Sequence, residues 1–292
     1  MIIVIVITGI IGGMVAMCIR LPVQGYVDAN ARADLADLAD TAVRRIARDV
    51  RLALPNSVRV STDGKYLELL LTKAGGRYLS EDDAPGLGPV LAFNPVAPGA
   101  DANQFTVVGN VPAITPGDFI AVYNMGDNLP DAYGCAVNAG VCNLAQVAAV
   151  SGAVVTLKSN PFLAQSPQKF PSPSHRFQVV TTPVSYVCDP KSGTLTRYSG
   201  YDIQALQPLN AEVAPLSTAP VQALLAQKIL KNTLGRSGVP AAQAAPPEGC
   251  FTYEVLKNVP RGLLSIVLSL GAENSNTGTL RLVQQVQVTN TP

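Results

Sequence analysis

Tryptophan is absent from this chain and histidine occurs once, at His175. With a single imidazole there is little material for a Ser-His-Asp relay, a histidine-rich zinc centre or paired-histidine proton transfer. Charge is scarce as well: 14% of the 292 residues are Asp, Glu, Lys or Arg, against roughly 25% in an ordinary soluble domain. The two signs nearly cancel, to a formal net charge of +1, so no whole-molecule field exists to gather nucleic acid or steer an acidic substrate. The P-loop, GxSxG, HExxH and CxxC signatures are all missing. His175 sits in the Pro/Ser-rich stretch FPSPSHRFQ and reads as a loop or strand-edge residue without a nucleophile signature beside it. The acidic triplet Glu81, Asp82 and Asp83, next to a Gly/Pro loop, reads as a solvated turn ahead of a calcium site. No catalytic, cofactor-binding or metal-ligating residue is expected, and the chain is read as a non-enzyme.

Cysteine is present in a useful number. Cys18 lies in the N-terminal apolar run, and Cys135, Cys142, Cys188 and Cys250 lie in the remainder. Four cysteines allow three pairings. The close spacing of Cys135 and Cys142 suits a local staple, which leaves Cys188 for Cys250. A zinc site competes poorly, because no C-x2-C pair occurs and only one imidazole is available. Disulfides point to an oxidising compartment for the bulk of the chain.

Residues Met1 to Ile19 carry no charge. As a helix they would rise about 28 Å at 1.5 Å per residue, close to a bilayer's hydrocarbon thickness. A cleavable signal would need a basic start, a shorter core and a small-x-small site, so the segment is expected to be a membrane anchor. Gly9, Gly12 and Gly13 weaken its interior, and Pro22, just past it, removes a backbone donor and marks an expected helix bend. Arg20 sits awkwardly: the positive-inside rule would put that end in the cytoplasm, whereas the cysteines argue for the opposite side.

Beyond Pro22 apolar residues fall at Leu35, Leu38, Ala39, Ala42, Val43, Ile46, Ala47, Val50 and Leu54, the spacing of one helical face. Asp34, Asp37 and Asp40 precede Arg44, Arg45, Arg48 and Arg51, which complements the helix dipole. Pro55 should end the helix near Leu54. The arginines read as a solvated face with intrahelical pairs such as Arg45 with Asp49, and no nucleic acid is expected. From Asn56 onward the period drops to two. SVRVSTDGKYLELLL reads as a hairpin around Asp63-Gly64. FTVVG, DFIAVYN, LAQVAAV, AVVTLKS, HRFQVVTTPVSYVCD, TLTRYS, CFTYEVL, GLLSIVLSL and TLRLVQQVQVT read as further strands. VQALLAQKILKNTL, from Val221 to Leu234, reads as a short amphipathic helix.

These features resemble the type IV pilins and pseudopilins: a greasy helical start, a proline just beyond it, an amphipathic continuation and a β domain with disulfides. The closest resemblance is to the minor pilin-like proteins of MSHA-type pilus biogenesis, the protein O group. It is carried by PVQGYVDANARADLADLADTAVRRIARDVRLALPNSVRV (Pro22 to Val60), by HRFQVVTTPVSYVCDPKSGTLTRYSGY (His175 to Tyr201) and by the ending VQVTNTP. About residues 75–170 match no motif. Minor pseudopilins of type II secretion, of the J type, share the long helix and the V-x-Y…G-x-L-x-R strand pair.

The resemblance implies an α+β pilin-like fold, a long N-terminal helix packed on an antiparallel β-sheet domain with long loops. Residues 1–54 would be the helix (1–19 transmembrane, 20–54 an amphipathic stalk) and residues 55–292 a periplasmic or extracellular β-rich domain. It further implies a single-pass protein of the inner membrane that later joins the pilus or cell surface. Its partners would be other pilins through the N-terminal helix, the inner membrane, and an assembly machinery of prepilin peptidase, ATPase and platform protein. Family members carry a basic leader and a Phe-Thr-Leu-x-Glu processing site ahead of the apolar run. Neither maps onto this sequence: either both precede Met1, or this copy is a variant that is not processed. The function expected is a structural minor pilin acting in initiation or at the tip. The alternatives are a J-type pseudopilin and a single-span periplasmic enzyme or binding protein.

Overall fold

The computed structural model describes residues 1–83, 86–126, 129–231, 248–255, 261–271 and 279–291; the side chains of residues 16, 17, 19–24 and 136 are outside the description. The Pro22 side chain, at the expected bend, therefore lies outside the description, and residues 232–234 of the expected second helix lie outside the described residues.

Helix α1 (Ile2–Arg51) leads the chain. Twelve strands follow among the described residues: β1 (Arg59–Val60), β2 (Tyr66–Tyr78), β3 (Gln104–Val108), β4 (Phe119–Ala121), β5 (Leu144–Ser151), β6 (Val154–Leu157), β7 (Arg176–Asp189), β8 (Thr194–Ser199), β9 (Val221–Gln227), β10 (Phe251–Val255), β11 (Arg261–Leu270) and β12 (Leu280–Thr289). The α+β, pilin-like architecture expected from the sequence is corrected by this arrangement. The molecule is predominantly β. Among the described residues no helix is long and apolar enough to cross a membrane, and only the last third of α1 enters a core. The transmembrane segment 1–19, and with it the single-pass inner-membrane placement, are corrected accordingly.

Two cores organise the strands. In the first, Ala39, Ala42, Val43, Ile46, Ala47 and Val50 of α1 are buried against Leu67 and Leu69 of β2, Val184 and Tyr186 of β7, Ile266 and Leu268 of β11, and Val286 and Val288 of β12. The i, i+3, i+4 spacing of those helix residues sets them in one stripe, so one helix face meets sheet from several sides. Leu52 N–H bonds the carbonyls of Arg48 and Asp49, then Leu54 N–H bonds Leu70 O and Thr72 N–H bonds Leu52 O. The helix exit is thereby stitched to β2.

The second core is a ring. β2 pairs with β3, β3 with β6, β6 with β5, β5 with β4, β4 with β7, and β7 returns to β2, every pair antiparallel. Phe105, Phe162, Phe177, Tyr78, Val147 and Val179 are buried in it. Closure removes the exposed edges of these short strands. Gly76 is required where β2 crosses the ring: a Cβ there would stand 2.7 Å from the Phe177 ring.

The expected hairpin forms between β1 and β2, with Gly64 at φ +69° in its turn. Val221 to Leu234 is a correction: Val221–Gln227 is strand β9, paired antiparallel with β8 from Ser199↔Val221 to Thr194↔Gln227. Only Ala226 of β9 is fully buried, so the apolar positions that suggested a helix lie along a half-exposed edge strand, and pairing with β8 overrides the local pattern.

The cysteines pair as Cys135–Cys142 and Cys188–Cys250, with Cα atoms 4.2 and 6.0 Å apart. The second bond ties the end of β7 to the residue before β10, joining the two sheets. On chain-entropy grounds a loop of 62 residues gives about 4 kcal/mol and one of 7 residues about 2 kcal/mol. Replacing Cys188 and Cys250 together by serine is therefore expected to lower unfolding free energy about twice as much as replacing Cys135 and Cys142. Urea titration of the two double variants checks this; equal losses, or the reverse order, would contradict it.

Candidate functional site

The most prominent surface is the first part of α1. Ile3 is 74% exposed, Met14 65% and Val15 51%, whereas Ala39, Val43 and Ile46 are at 0%. One helix thus carries an apolar, solvent-facing N-terminal half and, in its last third, a buried face. Gly9, Gly12 and Gly13 have open space where a Cβ would stand, which leaves the exposed half shallow there. A contiguous apolar surface of this length is rare on a monomer and marks a place where something else packs.

The buried face is anchored by charge. Asp49 is buried on the helix stripe; Tyr186 OH donates to its Oδ2 at 2.7 Å and Arg197 Nε donates at 3.0 Å. Arg197 also donates from Nη1 to Ser199 Oγ at 2.9 Å. Burial, reinforced by the Asp49 carboxylate, pushes the Tyr186 hydroxyl well above its ordinary pKa. The Arg45–Asp49 pair expected from the sequence is replaced by this inward set, and the surface pair is Arg44 with Asp40 at 2.7 Å.

A second buried cluster holds the loop after β8. Arg59 Nε donates to Glu68 Oε2 at 2.6 Å, and Tyr201 OH donates to Glu68 Oε1 at 2.8 Å. The same guanidinium donates to the carbonyls of Ala205 and Gln204 at 2.8 and 2.9 Å and lies 3.7 Å over the Tyr133 ring. Every arm of Arg59 is spent on structure. Burial raises the Glu68 pKa, outweighing the pull of Arg59. The loop so held carries exposed Leu206, Leu209 and Val213, which with Val137 line a cleft of about 470 Å³. A smaller cleft of about 280 Å³ opens between Asn56, Tyr133, Tyr253 and Asn290; there Asn56 Nδ2 donates to the carbonyls of Asn124 and Asn290, and Asn290 Nδ2 donates to Tyr253 OH.

The remaining residues singled out in the sequence are scattered. His175 adopts φ +53° beside Tyr78, its Nε2 3.8 Å from Asp82. Asp83 accepts the Ser80 N–H at 2.9 Å and an Arg77 Nη2 bond at 2.6 Å, and these hold its carboxyl down at about 2. Among the described residues no three His, Cys, Asp or Glu side chains converge as a metal set would require. Cys135 and Cys142 staple a loop, Cys188 and Cys250 join the sheets, and Cys18 is free and exposed. Sequence reasoning missed Asp49 and Glu68 as anchors. A signal existed for the first, since Asp49 falls on the apolar stripe between Ile46 and Val50. Glu68 stands between two inward leucines on a strand buried on both faces, and nothing local marks that.

No family model, curated protein or solved structure matches the chain.

Folding raises the Glu68 pKa, so the folded state binds that proton more tightly than the unfolded chain does. Its stabilising contribution is complete below the ordinary glutamate pKa and declines as pH rises through the raised value. Glu68→Gln cannot ionise and lacks that decline. Thermal melts from about pH 4 to about pH 7 should show the wild type losing ground to Glu68→Gln as pH rises. A constant difference, or one moving the other way, would contradict the assignment.

Proposed function

We propose that this chain is a structural subunit of the minor-pilin kind, which joins the initiation or tip assembly of an MSHA-type pilus through the N-terminal half of α1. The observation that carries the reading is the division of α1. Residues such as Ile3, Ile7, Ile11 and Met14 face solvent, while Ala39, Ala42, Val43, Ile46, Ala47 and Val50 form a stripe buried against the strands. An apolar helix half that its own chain does not cover suits a site filled by helices of neighbouring subunits, with van der Waals contact and water exclusion as the driving force. The glycines suit that role, because they let a neighbouring backbone come near. The resemblance of Pro22 to Val60 and His175 to Tyr201 to minor pilins supports the same reading. The arginine side chains at the helix end and the buried Asp49 belong to holding the helix, and no residue is assigned a chemical step.

Ile7→Asp and Ile11→Asp test this. Both positions are about half exposed and touch no core, so the folded chain should melt within about 1 kcal/mol of the wild type. Assembly should fail: co-purification with the other pilus subunits and pili counted by electron microscopy should drop by roughly tenfold or more, since each buried charge costs more than 1.4 kcal/mol. Normal piliation in a strain carrying the double variant would refute the proposal.

A further inference from the structure

β12 is one of the two outer strands of the three-stranded sheet β10-β11-β12, and among the described residues no strand or bridge occupies its outer edge. Its register with β11 runs without a shift from Leu270↔Leu280 to Arg261↔Thr289. Natural proteins blunt such edges with lysine, proline, bulges or inward charges. β12, LRLVQQVQVT, has none of these devices, and its one charge, Arg281, points to solvent. Val286 and Val288 are buried on the inner face with Leu280, Leu282 and Gln284 partly so; Arg281, Val283, Gln285, Gln287 and Thr289 are exposed on the outer face.

We propose that this edge is a homodimer interface, in which β12 pairs antiparallel with β12 of a second copy across a two-fold axis at Gln284. Two constraints select that register. Directly opposed residues of an antiparallel pair share a face and a backbone direction. An axis between two residues sets an inward residue against an outward one and is excluded, because a slip of one residue turns every side chain to the wrong face. Among axes through a residue, Gln284 brings Leu280 opposite Val288 and Leu282 opposite Val286 on the inner face, with Gln284 opposite itself. Outside, Arg281 meets Gln287 and Val283 meets Gln285, so the only charge on the strand meets a neutral partner. An axis at Gln285 or Val283 instead sets Gln284 twice against an aliphatic residue. The chosen register continues two three-stranded sheets into one of six strands, and each copy's α1, which packs on its own β12, stays over the inner face. The interface is isologous and closes after two copies. It does not rest on the filament reading, because it uses no residue of the exposed half of α1.

The test is sedimentation equilibrium of the full chain in a mild detergent that coats that half of α1. The wild type should be dimeric at tens of micromolar. Val283→Lys with Gln285→Lys sets lysine against lysine at both outer pairs and should weaken association by roughly tenfold or more. Val283→Glu with Gln285→Lys sets glutamate against lysine at the same pairs and should restore the dimer. Both positions face solvent, so all three proteins should give the same melting curve at concentrations where each is monomeric. A monomeric wild type, a dimer indifferent to both changes, or a charge-reversed variant that stays monomeric would each overturn the proposal.

Discussion

The antiparallel ladder between β2 and β7 carries the molecule, because it runs through both cores. It begins at Tyr66↔Val187 and ends at Arg77↔Arg176, with register shifts between Leu70 and Thr72 and between Thr72 and Ala74. Bulges bend a strand and increase its local twist. Here they fall where the pair leaves the helix-facing core and enters the ring, so one continuous pair of strands serves two differently oriented interiors. Before the bulges Leu67, Leu69, Val184 and Tyr186 pack beneath α1; after them Tyr78, Phe177 and Val179 fill the ring. The anchoring charges use the same ladder: Glu68 and Tyr186 are directly on it, and Arg197 is opposite Tyr186 on β8.

The helix depends on that frame for only part of its length. A buried carboxylate such as Asp49 is tolerated because two donors meet it, and removing Arg197 would leave an unpaired charge in a dry interior, a cost of about 3–5 kcal/mol. That geometry fixes the rotation of α1 about its axis as well as its seat, since Asp49 must meet Arg197 while Ile46 and Val50 face the strands. Among its described residues the first half of the helix has no comparable contacts, and Met1 to Val15 present apolar side chains outward. A single helix thus joins the folded body to an exposed apolar stretch, the surface through which assembly is proposed.

Some of this was legible in the residues alone. The stripe from Leu35 to Val50 announced the packed face of α1, Asp63-Gly64 announced the first turn, and the spacing of Cys135 and Cys142 announced their bond, which left Cys188 for Cys250. The ring was not legible: a period of two marks Gln104–Val108 or Leu144–Ser151 as strands but says nothing of which neighbour each takes, and the closure depends on pairings over a hundred residues apart. Val221 to Leu234 misled because leucine, alanine and glutamine favour a helix in isolation, and only the edge of β8 decides otherwise. The membrane span rested on the absence of charge from Met1 to Ile19, and among the described residues no helix is long and apolar enough to cross a membrane. Asp49 looked like a surface partner for Arg45 since helix spacing allows that pair, and only the position of Arg197 on β8 draws it inward.

The central claim is that the last third of α1 is held by its own chain while the described residues Met1 to Val15 are not. Hydrogen–deuterium exchange on the monomer, below the concentration at which it associates, reads the two parts separately. Amides from Ala39 to Arg51 should exchange only with global unfolding, while those from Ile3 to Val15 should exchange orders of magnitude faster and gain protection when other subunits are added. Uniform slow exchange along the whole of α1 in the monomer would contradict the account.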